Sequence, residues 1–368
     1  MLLKIAVLPG DGIGPEVTAE GVRVLESVAE VFGHELSLSR HHVGGAAVEV
    51  SHDPLPPDTL RACRSCDAVL LGAVGGAKFD ELPAHLRPER GLLRLRQELG
   101  VFANLRPAIC LPSLEHCSPL RAEIVRSTDL LIVRELLGGI YFGQPRSTQG
   151  PIGHRAAIDT MQYGEPEIER IARVAFDLAK SRRRKVTSVD KANVLDCSRL
   201  WRSVVTTVSR DYPEISLRHM YVDSAAMALV SSPAAFDVVL TENMFGDILS
   251  DQAGGVVGSL GMLASASIGG AVALYEPVHG SAPDIAGRGI ANPLGSILSV
   301  AMMLRHSFNL ATEAASVESS VATVLAAGHR TQDLVKAGQA FISTAEMGNR
   351  VVKMLKTPVK AAEPLSSR

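Results

Sequence analysis

The chain has 368 residues, 46% hydrophobic and 21% charged, with a formal net charge of −2. That length holds two domains, or one large one, around a sizeable core. Near-neutrality and an aromatic fraction of 4% argue against a nucleic-acid or anionic-membrane surface. "KIAVL" (Lys4–Leu8) already reads as a buried strand, leaving no room for a targeting segment. The most apolar stretch, Gly258–Tyr275, is interrupted by Gly and Ser and holds no bilayer-spanning run. These features predict a soluble, cytoplasmic protein with no membrane or nucleic-acid partner.

In chain order, a strand at Lys4–Leu8 is followed by a turn and an amphipathic helix from Pro15 to about Phe32. "DAVLLGAV" (Asp67–Val74) reads as a buried strand and "GLLRLRQEL" (Gly91–Leu99) as a helix. Then come a strand at Asp129–Leu136, a helix at Glu165–Lys180, a strand at Lys185–Lys191 and a helix at Ser198–Asp211. Strands at Ile215–Asp223 and Phe236–Asn243 precede the helical "FGDILSDQAGG" (Phe245–Gly255) and a buried helix at Pro293–Ser307. Alternating strands and helices predict an α/β fold with largely parallel pairing. "SRRRK" (Ser181–Lys185) reads as a solvated helix cap, and the tail from Lys356 as frayed.

Five cysteines at irregular spacing include one lone CxxC, Cys63 and Cys66, with no second pair to complete a zinc site. Reduced thiols are the expected state. "LPGDGIGPEV" (Leu8–Val17) spaces Gly10, Gly12 and Gly14 as GxGxG, with Pro15 where a dinucleotide fingerprint needs its third glycine. A Rossmann fold is therefore rejected. The turn either approaches a ligand closely or is structural.

Charged groups gather where apolar runs end: Arg134, Lys191, Asp223 and Asn243. In open α/β sheets ligands bind there. Asp247 and Asp251, four apart on a helix, share one face, where like charges cost about 0.2–0.5 kcal/mol. They are solvated, serve as caps, or hold a cation; with Asp223 they form an oxygen-rich set suited to magnesium. Arg96, Arg106 and Arg134 either grip a substrate with several carboxylates or form ordinary ion pairs. Lys191 is a candidate base or an ion-pair partner, and Tyr141 a candidate proton donor. The Gly- and Pro-rich stretch Glu276–Pro293 is long enough to be functional, with His279 and Asp284 suited to a nucleotide.

"GDGIGPEV", "VGGAKFD", "RGLLRLR", "NLRP", "LIVRELLGGIYFG", "SVDKANVL", "FGDILSD", "EPVHGSAPDIAG" and "TAEMG" stand in this order between about Lys4 and Leu355. In that order they resemble the β-decarboxylating dehydrogenases, the isocitrate/isopropylmalate dehydrogenase family. The resemblance implies a two-domain α/β fold with a largely parallel twisted sheet flanked by helices. Its first, cofactor-side domain is discontinuous, residues 1–101 and 258–368, and its second, residues 102–257, carries metal, substrate and dimer contacts. It also implies a homodimer whose subunits complete each other's active sites.

Carried onto this chain, the resemblance gives Mg²⁺ or Mn²⁺ to Asp247 and Asp251 with Asp223 of the partner subunit. Arg96, Arg106 and Arg134 would hold the malate carboxylates, with Asp223 also near the substrate. Lys191 of the partner subunit would take the hydroxyl proton, and Tyr141 would protonate the enol carbon. Leu92 and Leu93, with Val194 of the partner subunit, would form an apolar wall suited to an isopropyl group, with Glu89 near the nicotinamide. NAD is the implied cofactor, seated by Ile13, Glu276, His279, Gly280, Ser281, Ala282, Asp284, Ile285 and Asn292. Asp284 would take the ribose hydroxyls, and Ile285 stands where NADP-using relatives carry phosphate-binding groups. The implied reaction is NAD-dependent oxidative decarboxylation of 3-isopropylmalate in leucine biosynthesis. Another 3-alkylmalate, malate or tartrate, or a non-catalytic regulatory role, are the alternatives. Gln252 and Ala264 depart from the family pattern, which has an acidic residue and a proline there.

Overall fold

A computed structural model of the chain describes residues 1–336 and 338–357. The tail, read as frayed from Lys356, lies outside the described residues beyond 357. The chain begins with β1 (Leu2–Gly10), α1 (Gly14–Phe32), β2 (Glu35–Arg40), α2 (Gly45–Ser51), α3 (Pro57–Ser65) and β3 (Ala68–Ala73). It continues through α4 (Pro88–Leu99), β4 (Ala103–Ile109), α5 (Ala122–Val125) and β5 (Asp129–Glu135). A small hairpin of β6 (Ser147–Gln149) and β7 (Ala156–Ile158) leads to α6 (Glu165–Lys180), β8 (Lys185–Asp190), α7 (Asp196–Ser209) and β9 (Ser216–Tyr221). Next are α8 (Val222–Ser231), β10 (Val238–Thr241), α9 (Asn243–Val257), β11 (Ala264–Ile268) and β12 (Ala273–Pro277). Helices α10 (Leu294–His306), α11 (Ala311–Ala326) and α12 (Thr344–Leu355) follow.

Ten strands form one sheet in the order β2-β1-β3-β12-β11-β4-β5-β10-β8-β9. Pairing is parallel on both flanks and antiparallel only in the middle, at β12–β11, β11–β4 and β4–β5. Strand side chains alternate between faces, and in β1 both faces are apolar. Leu3, Ile5 and Val7 join the core under α1 and α10, whereas Ala6 and Leu8 join another with Leu95 and Leu99 of α4. A third core packs Leu229 of α8 and Leu249 and Ala253 of α9 against Ile132, Val189 and Val239. Covering both faces requires the unbroken apolar runs seen in "KIAVL" and "AVLLGA".

Helix α6 begins and ends where its periodicity predicts. Elements that the apolar patterning does not mark include β2, α2, α3, β4, α8, β11, β12, α11 and α12. One expectation changes. Asp223 does not close a strand: β9 stops at Tyr221, and Asp223 lies in the first turn of α8. The "SRRRK" run closes α6 and is exposed except at Arg182, which is half-buried. Arg182 donates to Asp129 and to the buried Asp237, both at 2.8 Å, and Arg183 donates to the Asp129 carbonyl at 2.7 Å. The buried Asp237 carboxylate draws the Arg182 guanidinium inward, while Arg183 reaches the strand-end carbonyls from the surface.

Candidate active site

Strands β4 and β5 run antiparallel and bring Arg106 and Arg134 to one end of α9. Both guanidinium groups are buried. Arg106 Nη1 donates to Ser250 Oγ at 2.7 Å and lies 3.2 Å from Asp247 Oδ1 and 3.5 Å from Asp251 Oδ1. Arg134 Nη1 donates to the same Asp247 oxygen. The Tyr141 hydroxyl donates to the other, Oδ2, at 2.9 Å. Tyr141, Asp247, Asp251, Arg106 and Arg134, expected to act together, therefore meet in one cluster.

Their electrostatics follow from burial and proximity. Burial pushes the Asp247 carboxyl up, but Arg134 and Arg106 outweigh it and hold the group below the usual carboxylate range. Asp251 goes the other way, raised by burial with Asp247 adding, despite Arg106. Burial and Asp247 push the Tyr141 hydroxyl up to about 12, so it keeps its proton at neutral pH. Arg134 falls to about 10 through burial and the neighbouring Arg106, and stays charged.

Lys191 and Asp223 lie elsewhere. Lys191 directly follows β8, and its ammonium donates to Asp223, holding that carboxyl low. Asp223 does not join Asp247 and Asp251. Among the described residues no three His, Cys, Asp or Glu side chains gather as a metal cage. The Asp247–Asp251 pair nonetheless fits a hard divalent cation: its donors are carboxylate oxygens on one helix face, and both side chains are partly exposed.

The remaining arginine links two regions. Arg96 Nη2 donates to Glu276 Oε1 at 2.6 Å, both side chains being buried, so a residue expected at the substrate meets one expected at the cofactor. Leu92 packs beside Leu95 and Leu99, Leu93 is half-buried, and Val194 is 61% exposed. Glu89 lies against Gly75, where a Cβ would come within 2.7 Å of its carboxylate.

The irregular stretch after β12 folds back on the β1–α1 turn. Ile13 N–H donates to the Ser281 carbonyl at 2.8 Å, and Ile13 packs with Ala282 and Ile285. Gly12 has φ +57, and a Cβ there would sit 2.0 Å from the Ser281 carbonyl oxygen. Only glycine permits that approach. Beside these loops lies a cleft of about 420 Å³ lined by Gly12, Gly75, Gly76, Lys78 and Pro283. Gly280 and Asp284 are exposed. His279 Nδ1 bonds the Gly280 carbonyl, while Nε2 is buried without a partner, which suits a polar group arriving there. Asn292 is committed to structure: it donates to Asp333 at 2.9 Å and accepts from Leu294 N–H at 3.0 Å.

Sequence reasoning missed several positioning groups. Asp11 accepts from Gly45, Ala46 and Gly75 N–H at 2.7–2.8 Å, tying three loops at the cleft. Asn104 accepts from Arg106 Nε at 2.7 Å. Its spacing of two residues on β4 puts it on the arginine's face, a signal legible in "NLRP".

A doubly covered, mostly parallel sheet with this cluster at its strand ends defines an α/β enzyme. The chain belongs to the isocitrate/isopropylmalate dehydrogenase family, whose match spans residues 4–351, and is an oxidoreductase. It is 56% identical to a 3-isopropylmalate dehydrogenase of Nitratidesulfovibrio vulgaris over 96% of this chain and 100% of that one. A 3-isopropylmalate dehydrogenase of Moorella thermoacetica is 58% identical over 96% and 99%. The fold matches an isocitrate dehydrogenase from Methylococcus capsulatus with a TM-score of 0.85, at 35% identity and 96% and 100% coverage.

Proposed function

We propose that this protein catalyses the NAD-dependent oxidative decarboxylation of 3-isopropylmalate to 2-oxoisocaproate and CO₂, a step of leucine biosynthesis. The observation that carries the reading is the convergence of Arg106, Arg134, Tyr141 and Asp247, together with relatives at 56–58% identity that bear this activity in their names. Arg106 and Arg134, joined by Arg96, bind the two carboxylates and hold C2 and C3 in place. Asp247 and Asp251, with the partner subunit's Asp223, would hold a divalent cation, Mg²⁺ or Mn²⁺, which would supply positive charge to stabilise developing negative charge on the substrate. NAD⁺, seated by Ile13 and the loop His279–Ile285, would supply the hydride acceptor, with Glu276 and Asn292 supporting that loop through Arg96 and Asp333.

Lys191 of the partner subunit receives the C2 hydroxyl proton as hydride leaves C2. The bond from C3 to its carboxylate then breaks, CO₂ departs, and the electron pair is left as the C2–C3 enolate. Tyr141, which retains its proton at neutral pH, donates it to C3 and completes the product. Leu92 and Leu93 offer apolar surface to the isopropyl group. A carboxymethyl group would lose its hydration there, at a cost of several kcal/mol. Exposed Asp284 suits ribose hydroxyls and repels a 2′-phosphate, which favours NAD over NADP.

The separation of Lys191 and Asp223 from the arginine cluster favours a homodimer in which each subunit completes the other's site. The sheet also supports a division into residues 1–101 with 258–368 and residues 102–257. Strands β2, β1, β3, β12 and β11 come from the first range and the other five from the second. Cytoplasmic residence accords with the absence, among the described residues, of a helix long and apolar enough to cross a membrane.

The test is NADH formation by purified protein with NAD⁺, Mg²⁺ and 3-isopropylmalate, beside isocitrate, malate and tartrate, with NADP⁺ and with chelator. Chelator-sensitive turnover selective for 3-isopropylmalate and NAD⁺ is expected. Preference for another malate would overturn the substrate assignment, and no turnover by folded dimer would overturn the enzymatic one.

A further inference from the structure

Asn243, the first residue of α9, is fully buried. A primary amide has one acceptor oxygen and two N–H donors, and here all are engaged. Oδ1 accepts from Arg134 Nε at 3.0 Å and Nη2 at 2.7 Å. Nδ2 donates to the Leu136 carbonyl at 3.1 Å and the Gly138 carbonyl at 3.0 Å. The backbone N–H donates to the Tyr163 hydroxyl at 3.0 Å.

The partners permit one orientation of the amide, because carbonyls only accept and a guanidinium only donates. They also belong to three separate pieces of the site: β5 with Arg134, the turn leading to Tyr141, and α9 with Asp247. With Nε and Nη2 taken, Nη1 is the guanidinium nitrogen that faces Asp247. Gly246 closes the arrangement from the other side, where a Cβ would come within 2.5 Å of Arg134 Cγ.

We propose that Asn243 is a positioning residue for this reaction: its amide fixes the Arg134 guanidinium and the turn carrying Tyr141 in one arrangement, so that the substrate carboxylate meets a pre-set Nη1. The proposal rests on the functional reading above. No other side chain of this size serves. Aspartate would turn an oxygen toward two carbonyl oxygens. Alanine supplies no polar atom, and glutamine adds a methylene to a fully enclosed place.

The experiment compares wild type, Asn243→Ala, Asn243→Asp, Arg134→Lys and the Asn243→Ala/Arg134→Lys double variant. It measures kcat, KM for each substrate and thermal unfolding. Losing a buried bond to a charged group should raise KM for 3-isopropylmalate about tenfold or more. KM for NAD⁺ should change less than about twofold, and Asn243→Ala should add less than about twofold once Arg134 is altered. Equal rises in both KM values, or full multiplication of the two effects, would overturn the proposal. Failure of both Asn243 variants to fold would make the residue a core builder and also overturn it. An inactive wild type sinks the functional reading and this proposal together, whereas an active wild type with unselective variants sinks this proposal alone.

Discussion

Two regions of the molecule carry opposite charges in contact, under opposite conditions. The Arg134 side chain is 2% exposed and bonded to Asn243 and Asp247. The Lys191–Asp223 pair stands at the rim, with Asp223 56% exposed and bonded by its side chain to Lys191 alone. The first is costly to assemble: removing one partner of a buried pair typically costs about 3–5 kcal/mol. The fold meets that cost with Asn243, Asn104, Ser250 and Tyr141. The second has no such support and is held weakly. A half-site that must present fixed donors is built into the sheet. The surface pair, by contrast, is left free to exchange one partner for another, as the proposed reach into a second subunit would require.

The sharpest way to break this comparison is to inactivate each region separately. Lys191→Ala and Asp247→Asn should each lower kcat by about a thousandfold or more, with a cooperative unfolding transition retained in both and a lower Tm in Asp247→Asn. Mixing the two variants under conditions of subunit exchange should restore about a quarter of wild-type activity. Half the dimers are then mixed, and each mixed dimer has one intact site. Exchange without recovery would place both regions in one subunit's site and remove the contrast.

A smaller effect is expected at the apolar wall. Leu93→Ala should lower the preference in kcat/KM for 3-isopropylmalate over malate by roughly tenfold. An unchanged ratio would move substrate selection away from α4. The smallest effect concerns Asp251 in metal-free protein. Burial and Asp247 raise its pKa, so the folded chain binds its proton more tightly than the unfolded chain and the ionised form opposes folding. Asp251→Asn should therefore raise Tm by about 1–3 °C at neutral pH. The gain is full above the raised pKa and fades as pH falls through it and below the ordinary carboxylate range. A lowered Tm at neutral pH would show that Asp251 is stabilised in the fold instead.

Much of this was legible in the sequence. Doubly covered strands declare themselves as unbroken apolar runs, and α6 shows its full length through amphipathic spacing. Asp247 and Asp251 stand out because like charges on one helix face invite an explanation. The buried arginines of "NLRP" and "LIVRE" were visible as charges beside apolar runs. Antiparallel β4 and β11 were not, since Arg106 and Pro107 interrupt one, and two serines and two alanines dilute the other. Asn243 and Asp11 were hidden for a related reason. An amide or carboxylate spending its hydrogen bonds on distant backbone has no local signature, and its partners come from residues 34 and 109 positions away.

The middle of the sheet carries a consequence of its own. Asn104 on β4 donates to Ser265 and Ser267 of β11 at 2.7 and 2.9 Å, and its oxygen carries Arg106. The one place where strands from the two ends of the chain meet strands from its centre is thus a polar zipper with a guanidinium hung on it. Arg106 is thereby fixed to β11 as well as to its own strand, so the aim of its guanidinium is set by the register between strands far apart in the chain.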